Sequence, residues 1–323
     1  MTEPSAAVPA PKKRESKLPT ASHRAEMVAL RGVIAALGAL SPETAGRIGA
    51  RLGSLGYRPL GIRRRVVERQ IAAAFPEMSP TEVAETSRRA YAHVGRAMIE
   101  TALLPRIGKK GVLEMVESSS GFELIDEAAA AGKGVILITG HLGNWELAGA
   151  YVAARGVPLD VIVRTQANPL FDEYWNETRS ALDMVVVRDY EAVRRTPRAL
   201  REGRGVAFVA DQGVRGLAST FVPFFGRPAK TPRGAAVFAM KYETPTFFVA
   251  TLRQPSGKYH VAVEPVPIVR TGDRERDVDE VVAAYTRILE RWVRTAPEQY
   301  FWHHRRWRRQ PDDTPPELRD PTA

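Results

Sequence analysis

His141 and Glu146 are the residues in this sequence best suited to chemistry. They stand five apart within Gly134 to Ala150, which reads GVILITGHLGNWELAGA. A neutral histidine is the usual side chain for taking a proton from a hydroxyl near neutral pH. It works better when a carboxylate holds its other ring nitrogen and stabilises the imidazolium that forms. Residues five apart on a regular helix point about 140° apart. The pair can therefore meet only if His141 lies before the first regular turn, which Gly140 and Gly143 would allow.

The elements that position this pair can be read from the same stretch. Val135 to Thr139 is a short apolar run bracketed by glycines, the pattern of a buried strand. Asn144, Trp145, Glu146 and Leu147 lead into an alanine-rich segment that favours a helix. Strand, tight turn and helix start place His141 at the carboxyl end of a strand, where α/β folds bind ligands. The spacing alone is weak evidence, and a histidine packed beside a strand would give the same pattern. Asp211-Gln212-Gly213 follows another apolar run, Val206 to Ala210, and so also falls at a strand end.

A second group of candidates lies at residues 221–234, FVPFFGRPAKTPRG. Phe221, Phe224 and Phe225 could line an apolar cavity. Arg227, Lys230 and Arg233 could hold a phosphate or carboxylate at its rim. Arg164, at the end of the strand run Leu159 to Val163, is a further anion ligand candidate. Tyr300 to Arg309, YFWHHRRWRR, interleaves aromatics with bases, which suits RNA or a lipid headgroup region.

The remaining elements predict a mixed α/β fold. Strand-like runs also occur at Met184 to Val187, Thr246 to Leu252 and Tyr259 to Val263. Helical segments lie between several runs, at Phe171 to Leu182 and Tyr190 to Arg201. Alternation of this kind predicts a mostly parallel sheet with helices on both faces. Gln254 to Gly257 reads as a hairpin turn, which makes the sheet mixed. Asp279 to Arg294 is an amphipathic helix. Residues 25–105 read as helical, with an apolar stretch at Met27 to Leu40, and Ser79-Pro80-Thr81-Glu82 gives a capping box. Residues 1–24 read as a disordered basic arm, 106–310 as the α/β core and 311–323 as a flexible tail.

Composition narrows the chemistry. The 323 residues contain no cysteine, which excludes disulfides, thiolate catalysis and cysteine-ligated metals. A net charge of +10 suggests nucleic acid, an anionic membrane surface or an acidic ligand. The Met27–Leu40 stretch carries Arg31 and is shorter than the about 20 residues a membrane span needs. It suits an interfacial or core-facing helix instead.

Taken together, GHLGNWELAG, the DQG at 211–213, FVPFFGRPAKTPRGAA and WHHRRWRR occur in the order found in bacterial lipid A late acyltransferases. The chain resembles that family, which belongs to the lysophospholipid acyltransferase superfamily, over roughly residues 25 to 310. The family's H-x4-D/E motif falls on His141 and Glu146. Its tyrosine-arginine-proline motif reads Val163-Arg164-Thr165 here, Asn168-Pro169 matches, and the usual Asp-x-Asp is cut to Asp211-Gln212-Gly213. The resemblance implies acyl transfer from an acyl-carrier-protein or coenzyme A thioester to a hydroxyl of a glycolipid such as a lipid A precursor, with no cofactor. Another lysophospholipid or a mannosylated phosphoinositide is the alternative acceptor. It implies His141 as general base, oriented by Glu146. Arg164, Asn144, Asp211, Gly213, Phe224, Phe225, Gly226, Arg227 and Arg233 are then the substrate and oxyanion contacts, with the oxyanion met by Arg164 or by backbone N–H groups at the helix start, Asp211 positioning either Arg164 or the acceptor, and Phe221 to Phe225 bordering the acyl groove. The family's amino-terminal membrane helix is weak here; with no run of spanning length, and with Arg63–Arg65 and Arg305–Arg309 supplying positive charge, the residues predict a peripheral enzyme on the cytoplasmic face of the inner membrane, held by anionic lipid and not by nucleic acid. A metal-dependent hydrolase using His303 or His304 and a basic RNA-binding protein are more distant alternatives.

Overall fold

The computed structural model describes residues 18–214 and 216–323, so most of the expected amino-terminal arm lies outside the described residues. Four helices come first: α1 (Ala21–Gly38), α2 (Pro42–Tyr57), α3 (Arg64–Ala74) and α4 (Pro80–Met115). The capping box forms as its residues require, with the Ser79 hydroxyl accepting from Glu82 N at 3.3 Å and the Glu82 carboxylate accepting from Ser79 N at 2.7 Å. Pro105 lies inside α4, and Gly108, with φ at 60°, kinks it. Glycines set how closely α2 approaches α4. A Cβ on Gly53 would lie 2.2 Å from the Tyr91 carbonyl oxygen, and one on Gly49 would lie 2.7 Å from the Gly95 carbonyl oxygen.

The α/β part follows as β1 (Val116–Ser120), α5 (Glu123–Ala130), β2 (Val135–Thr139), α6 (Trp145–Ala154), β3 (Leu159–Val163), α7 (Pro169–Ser180), β4 (Met184–Arg188), α8 (Ala192–Arg201) and β5 (Gly205–Val209). It continues as β6 (Ser219–Phe224), β7 (Arg227–Pro232), α9 (Gly234–Tyr242), β8 (Thr246–Arg253), β9 (Tyr259–Pro265) and α10 (Arg274–Thr295). Seven strands form one sheet in the order β1-β9-β8-β2-β5-β3-β4. All neighbours are parallel except β8 and β9, the hairpin expected from its turn residues. The fold is therefore a mixed, mostly parallel α/β sheet flanked by helices and preceded by a helical region.

Both faces of β2 are covered, which explains its unbroken apolar run. Ile136 and Ile138 pack with Ile71 of α3, Phe238 of α9, Leu289 of α10 and the carboxyl-terminal Trp302 and Trp307. Val135 and Leu137 pack on the other side with Val112 of α4, Ile125 of α5 and Leu147 of α6. Two elements here carry no strand signal in the sequence pattern. The polar sequence VESSS forms the edge strand β1, whose exposure removes the apolar signal that would reveal it. The segment 221–234 is mostly a two-stranded antiparallel hairpin, β6–β7, turning at Phe225 and Gly226, both with positive φ.

The residues read as a flexible tail make definite contacts. Arg305 pairs with Asp320 at 2.6 Å, Gln310 Nε2 donates to the Leu318 carbonyl at 2.7 Å, and Thr314 is buried. Among the described residues, no helix is long and apolar enough to cross a membrane.

Candidate active site

The turn between β2 and α6 is held from several sides. Gly143 has φ at +59°, and a Cβ there would lie 1.5 Å from the Thr251 carbonyl oxygen, so only glycine fits. Its N–H donates to the Gln299 carbonyl at 2.9 Å, while its own carbonyl accepts from His93 Nε2 at 3.0 Å. The His141 carbonyl accepts from Phe301 N at 2.9 Å. Asn144 is the N-cap of α6, its side chain accepting from Leu147 N and from the Thr101 hydroxyl. Backbone and side-chain bonds thus fix His141 before the first regular turn, as the two glycines permit.

The carboxylate that meets His141 is Asp211. His141 Nδ1 lies 2.6 Å from Asp211 Oδ1, and the Tyr300 hydroxyl donates to Asp211 Oδ2 at 3.1 Å. Parallel pairing of β2 with β5, with Thr139 opposite Val209, brings the two strand ends together. Asp211 is buried, and burial pushes its carboxyl up. The charges of His141 and Arg306 and the His141 hydrogen bond more than reverse that effect, holding it well below the usual carboxylate range. As an anion Asp211 can only accept, so Nδ1 carries the proton and Nε2 is left as the basic ring atom. Trp145 and Phe301 flank the imidazole, with ring centroids 4.7 and 6.1 Å away.

Glu146 makes a different contact from the one expected. Arg179 of α7 grips it through both nitrogens, Nε to Oε2 at 2.9 Å and Nη2 to Oε1 at 2.5 Å. Glu146 sits in the first turn of α6 and its carboxylate is taken by Arg179 of α7, while His141 stands before the helix and turns to Asp211. Sequence reasoning missed Arg179 because no local spacing connects it to the motif. It also missed His93 and Gln299, which act on the histidine turn from distant elements.

His141, Glu146, Asn144, Arg164 and Arg179 all line one cavity of about 800 Å³. Its walls are largely apolar, with Ala97 and Met98 of α4, Ala148 and Val152 of α6, Val161 of β3 and Phe238 of α9. The expected aromatic border lies elsewhere. Phe224 and Phe225 are buried against Trp302, Phe75 and one another, inside the core formed with the carboxyl-terminal segment. Arg227 donates to the Arg319 carbonyl and lies 6.0 Å from the Trp307 ring. Arg233 is paired with Glu275 and Asp279. A Cβ on Gly213 would meet the Lys230 carbonyl at 2.6 Å, so that glycine serves chain packing.

The basic, aromatic tail is likewise structural. Trp302 and Trp307 are fully buried, and Arg306 is buried with its guanidinium on the Lys230 carbonyl and the Thr231 hydroxyl. Burial lowers both His303 and His304 to about 4. Among the described residues, no three or more His, Cys, Asp or Glu side chains gather as metal ligands would.

The sequence matches the family model described as bacterial lipid A biosynthesis acyltransferase over residues 14–309. It is 28% identical over 273 residues to the lipid A biosynthesis lauroyltransferase of Escherichia coli K12, covering 83% of this chain and 87% of that one. The lipid A biosynthesis palmitoleoyltransferase of the same organism is 24% identical, over 82% and 85% of the two chains. A phosphatidylinositol mannoside acyltransferase of Mycobacterium tuberculosis is 27% identical over 206 residues, 62% of this chain and 61% of its own. The family match spans nearly the whole chain and includes His141, Glu146 and Asp211; the chain belongs to the bacterial lipid A biosynthesis acyltransferase family and is an O-acyltransferase.

Proposed function

We propose that the protein transfers a fatty acyl group from an acyl-carrier-protein or coenzyme A thioester to a hydroxyl of a lipid A precursor, at the cytoplasmic face of the inner membrane. The observation that carries this reading is the His141–Asp211 pair, 2.6 Å apart, on the wall of a largely apolar cavity of about 800 Å³. Such a cavity suits an acyl chain, and the pair suits activation of a hydroxyl.

In the proposed reaction the acceptor hydroxyl attacks the thioester carbonyl carbon as His141 Nε2 takes its proton. Asp211 holds the ring and stabilises the imidazolium. The tetrahedral oxyanion forms near Arg164 and the amino-terminal end of α6, whose backbone dipoles favour negative charge. Collapse breaks the carbon–sulfur bond, and the imidazolium returns its proton to the departing thiolate. A thioester is already activated, so no enzyme nucleophile is required. Glu146 acts through Arg179 by fixing the start of α6 beside the cavity.

The mycobacterial relative supports a second acceptor class, a mannosylated phosphoinositide. Incubating the purified protein with carrier-protein and coenzyme A thioesters and each acceptor, followed by mass spectrometry, tests both. An acylated lipid A precursor is the expected product. Acylation of the phosphoinositide alone would replace the first reading, and no O-acyl product from either acceptor would end both.

A further inference from the structure

Helix α2 exposes apolar side chains at its carboxyl-terminal end. Its inner side is a glycine stripe, with Gly46, Gly49 and Gly53 pressed against α4 so closely that a Cβ on any of them would clash. Its leucines, Leu52 and Leu55, are exposed instead. The same exposed character continues through the turn into α3, where Leu60 is 66% and Ile62 54% exposed. Isolated exposed apolar side chains are ordinary, but four within eleven residues of one helix end and its turn form a patch that calls for a partner.

Along the chain, the segment that carries the patch holds only basic charge. No acidic residue occurs between Glu43 and Glu68, whereas that interval holds six arginines. Arg47 and Arg64 are paired with those two flanking glutamates. Arg51, Arg58, Arg63 and Arg65 are exposed and, among the described residues, take part in no ion pair of the structure. A second copy of the chain would set arginine against arginine across a symmetric contact, which like-charge repulsion opposes. Leucines interleaved with arginines fit an anionic lipid surface, where the apolar side chains enter the interface and the bases meet headgroups.

The position of the patch relative to the catalytic wall supports the same partner. The Tyr91 hydroxyl donates to the Ile62 carbonyl, and the Tyr91 ring lies 4.3 Å from that of His303. His303 stacks near Phe301 at 5.1 Å, and Phe301 near His141 at 6.1 Å. A continuous chain of rings therefore links the α2–α3 turn to the histidine.

We infer that the end of α2 and the α2–α3 turn, through Leu52, Leu55, Leu60 and Ile62 and the surrounding arginines, form the surface that docks on anionic lipid and sets the cavity beside the bilayer. This choice of occupant rests on the proposed lipid acceptor, while the surface itself rests on exposure and charge.

The test uses the full chain with vesicles of phosphatidylcholine alone or of equal parts phosphatidylcholine and phosphatidylglycerol, measured by co-sedimentation. The wild type is expected to bind only the anionic vesicles. Leu60→Glu with Ile62→Glu should weaken that binding about tenfold or more, since both side chains lose their apolar burial. Arg58→Ala and Arg65→Ala should each weaken it about fivefold, and these variants keep the test decisive if the double glutamate variant misfolds. Turnover of acceptor dispersed in detergent should stay at the wild-type level in all variants while turnover of acceptor in anionic vesicles falls. Wild-type binding to both vesicle types alike or to neither, or variants that bind like the wild type, would overturn the proposal. A wild-type dimer that the glutamate variant dissociates would also overturn it, in favour of a second copy. If detergent-dispersed acceptor is not acylated by the wild type, the functional reading fails and sedimentation alone decides the docking surface.

Discussion

At the scale of single residues, the assignment of two carboxylates separates the possible mechanisms. His141→Ala is expected to lower acyl transfer by about 10²–10⁴-fold, the usual cost of losing a general base, with a folded protein by circular dichroism. Asp211→Asn should approach that loss, because a neutral amide cannot stabilise the imidazolium and can favour the wrong tautomer. Glu146→Gln should cost less in rate than Asp211→Asn, since Glu146 bonds to Arg179 and not to His141. Turnover with saturating thioester checks the order, and equal losses would restore Glu146 to the histidine. Arg179→Met should destabilise the fold by about 1–3 kcal/mol by leaving Glu146 without its partner; the pair keeps some solvent contact, so the effect falls short of a fully buried ion pair. A double-mutant cycle on Glu146 and Arg179 measures that coupling.

Histidines also shape stability against pH. Burial, opposed by the bond to Gly143 and reinforced by Arg253 and Arg96, lowers His93 to about 4, and burial lowers His303 and His304 similarly. An unfolded chain binds protons at these sites near pH 6.5, whereas the folded chain does not until about pH 4. Stability should therefore fall as pH drops through that window, because the unfolded state takes up more protons. His93→Gln, which keeps a donor toward Gly143, should flatten the decline. Urea midpoints measured from pH 7 to pH 4 check the sign, and a stability that rises toward pH 4 would contradict it.

At the scale of elements, small residues set how the helices meet. Gly53→Ala places a methyl group 2.2 Å from the Tyr91 carbonyl oxygen and forces α2 away from α4. It should destabilise the protein by at least about 1–3 kcal/mol, the range for overpacking. Gly32→Ala in α1 meets nothing within 4 Å and should stabilise by about 0.5–1 kcal/mol through helix propensity alone. Chemical denaturation of the two variants gives opposite shifts if α2 is seated by its glycines. The β6–β7 hairpin shows the same dependence on context. Its aromatics and bases have the composition of a ligand loop, yet they fold onto Trp302, Trp307 and Glu275 and leave the cavity to α4, α6 and α9.

At the scale of the whole molecule, the mixed sheet gathers strand ends from distant parts of the chain. β2 and β5 are separated by more than sixty residues, yet they are hydrogen-bonded neighbours, and that pairing creates the His141–Asp211 contact. The helical region supplies a cavity wall through α4 and the proposed docking surface through the α2–α3 turn. Basic charge is thereby divided between structural roles in the core and an exposed rim. Only the rim can respond to ionic strength, because exposed charges are screened over about 8 Å at physiological salt.

Local pattern alone determined a large part of this protein. The strand before His141, the capping box at Ser79, the β8–β9 hairpin turn and the mixed α/β class all follow from periodicity and turn chemistry among near neighbours. His141 was legible because a glycine-bounded apolar run ends beside it. The partner of that histidine was not, because hydrogen bonds between strands depend on sheet order, which no local spacing encodes. Asp211 was visible as a strand-end acid, but only the adjacency of β5 to β2 brings it to 2.6 Å from the imidazole. The roles of Arg227, Arg233 and Arg306 were hidden for the same reason: a base free on a loop and a base held by neighbouring carbonyls or carboxylates have identical sequence, and only tertiary packing decides which one solvent sees.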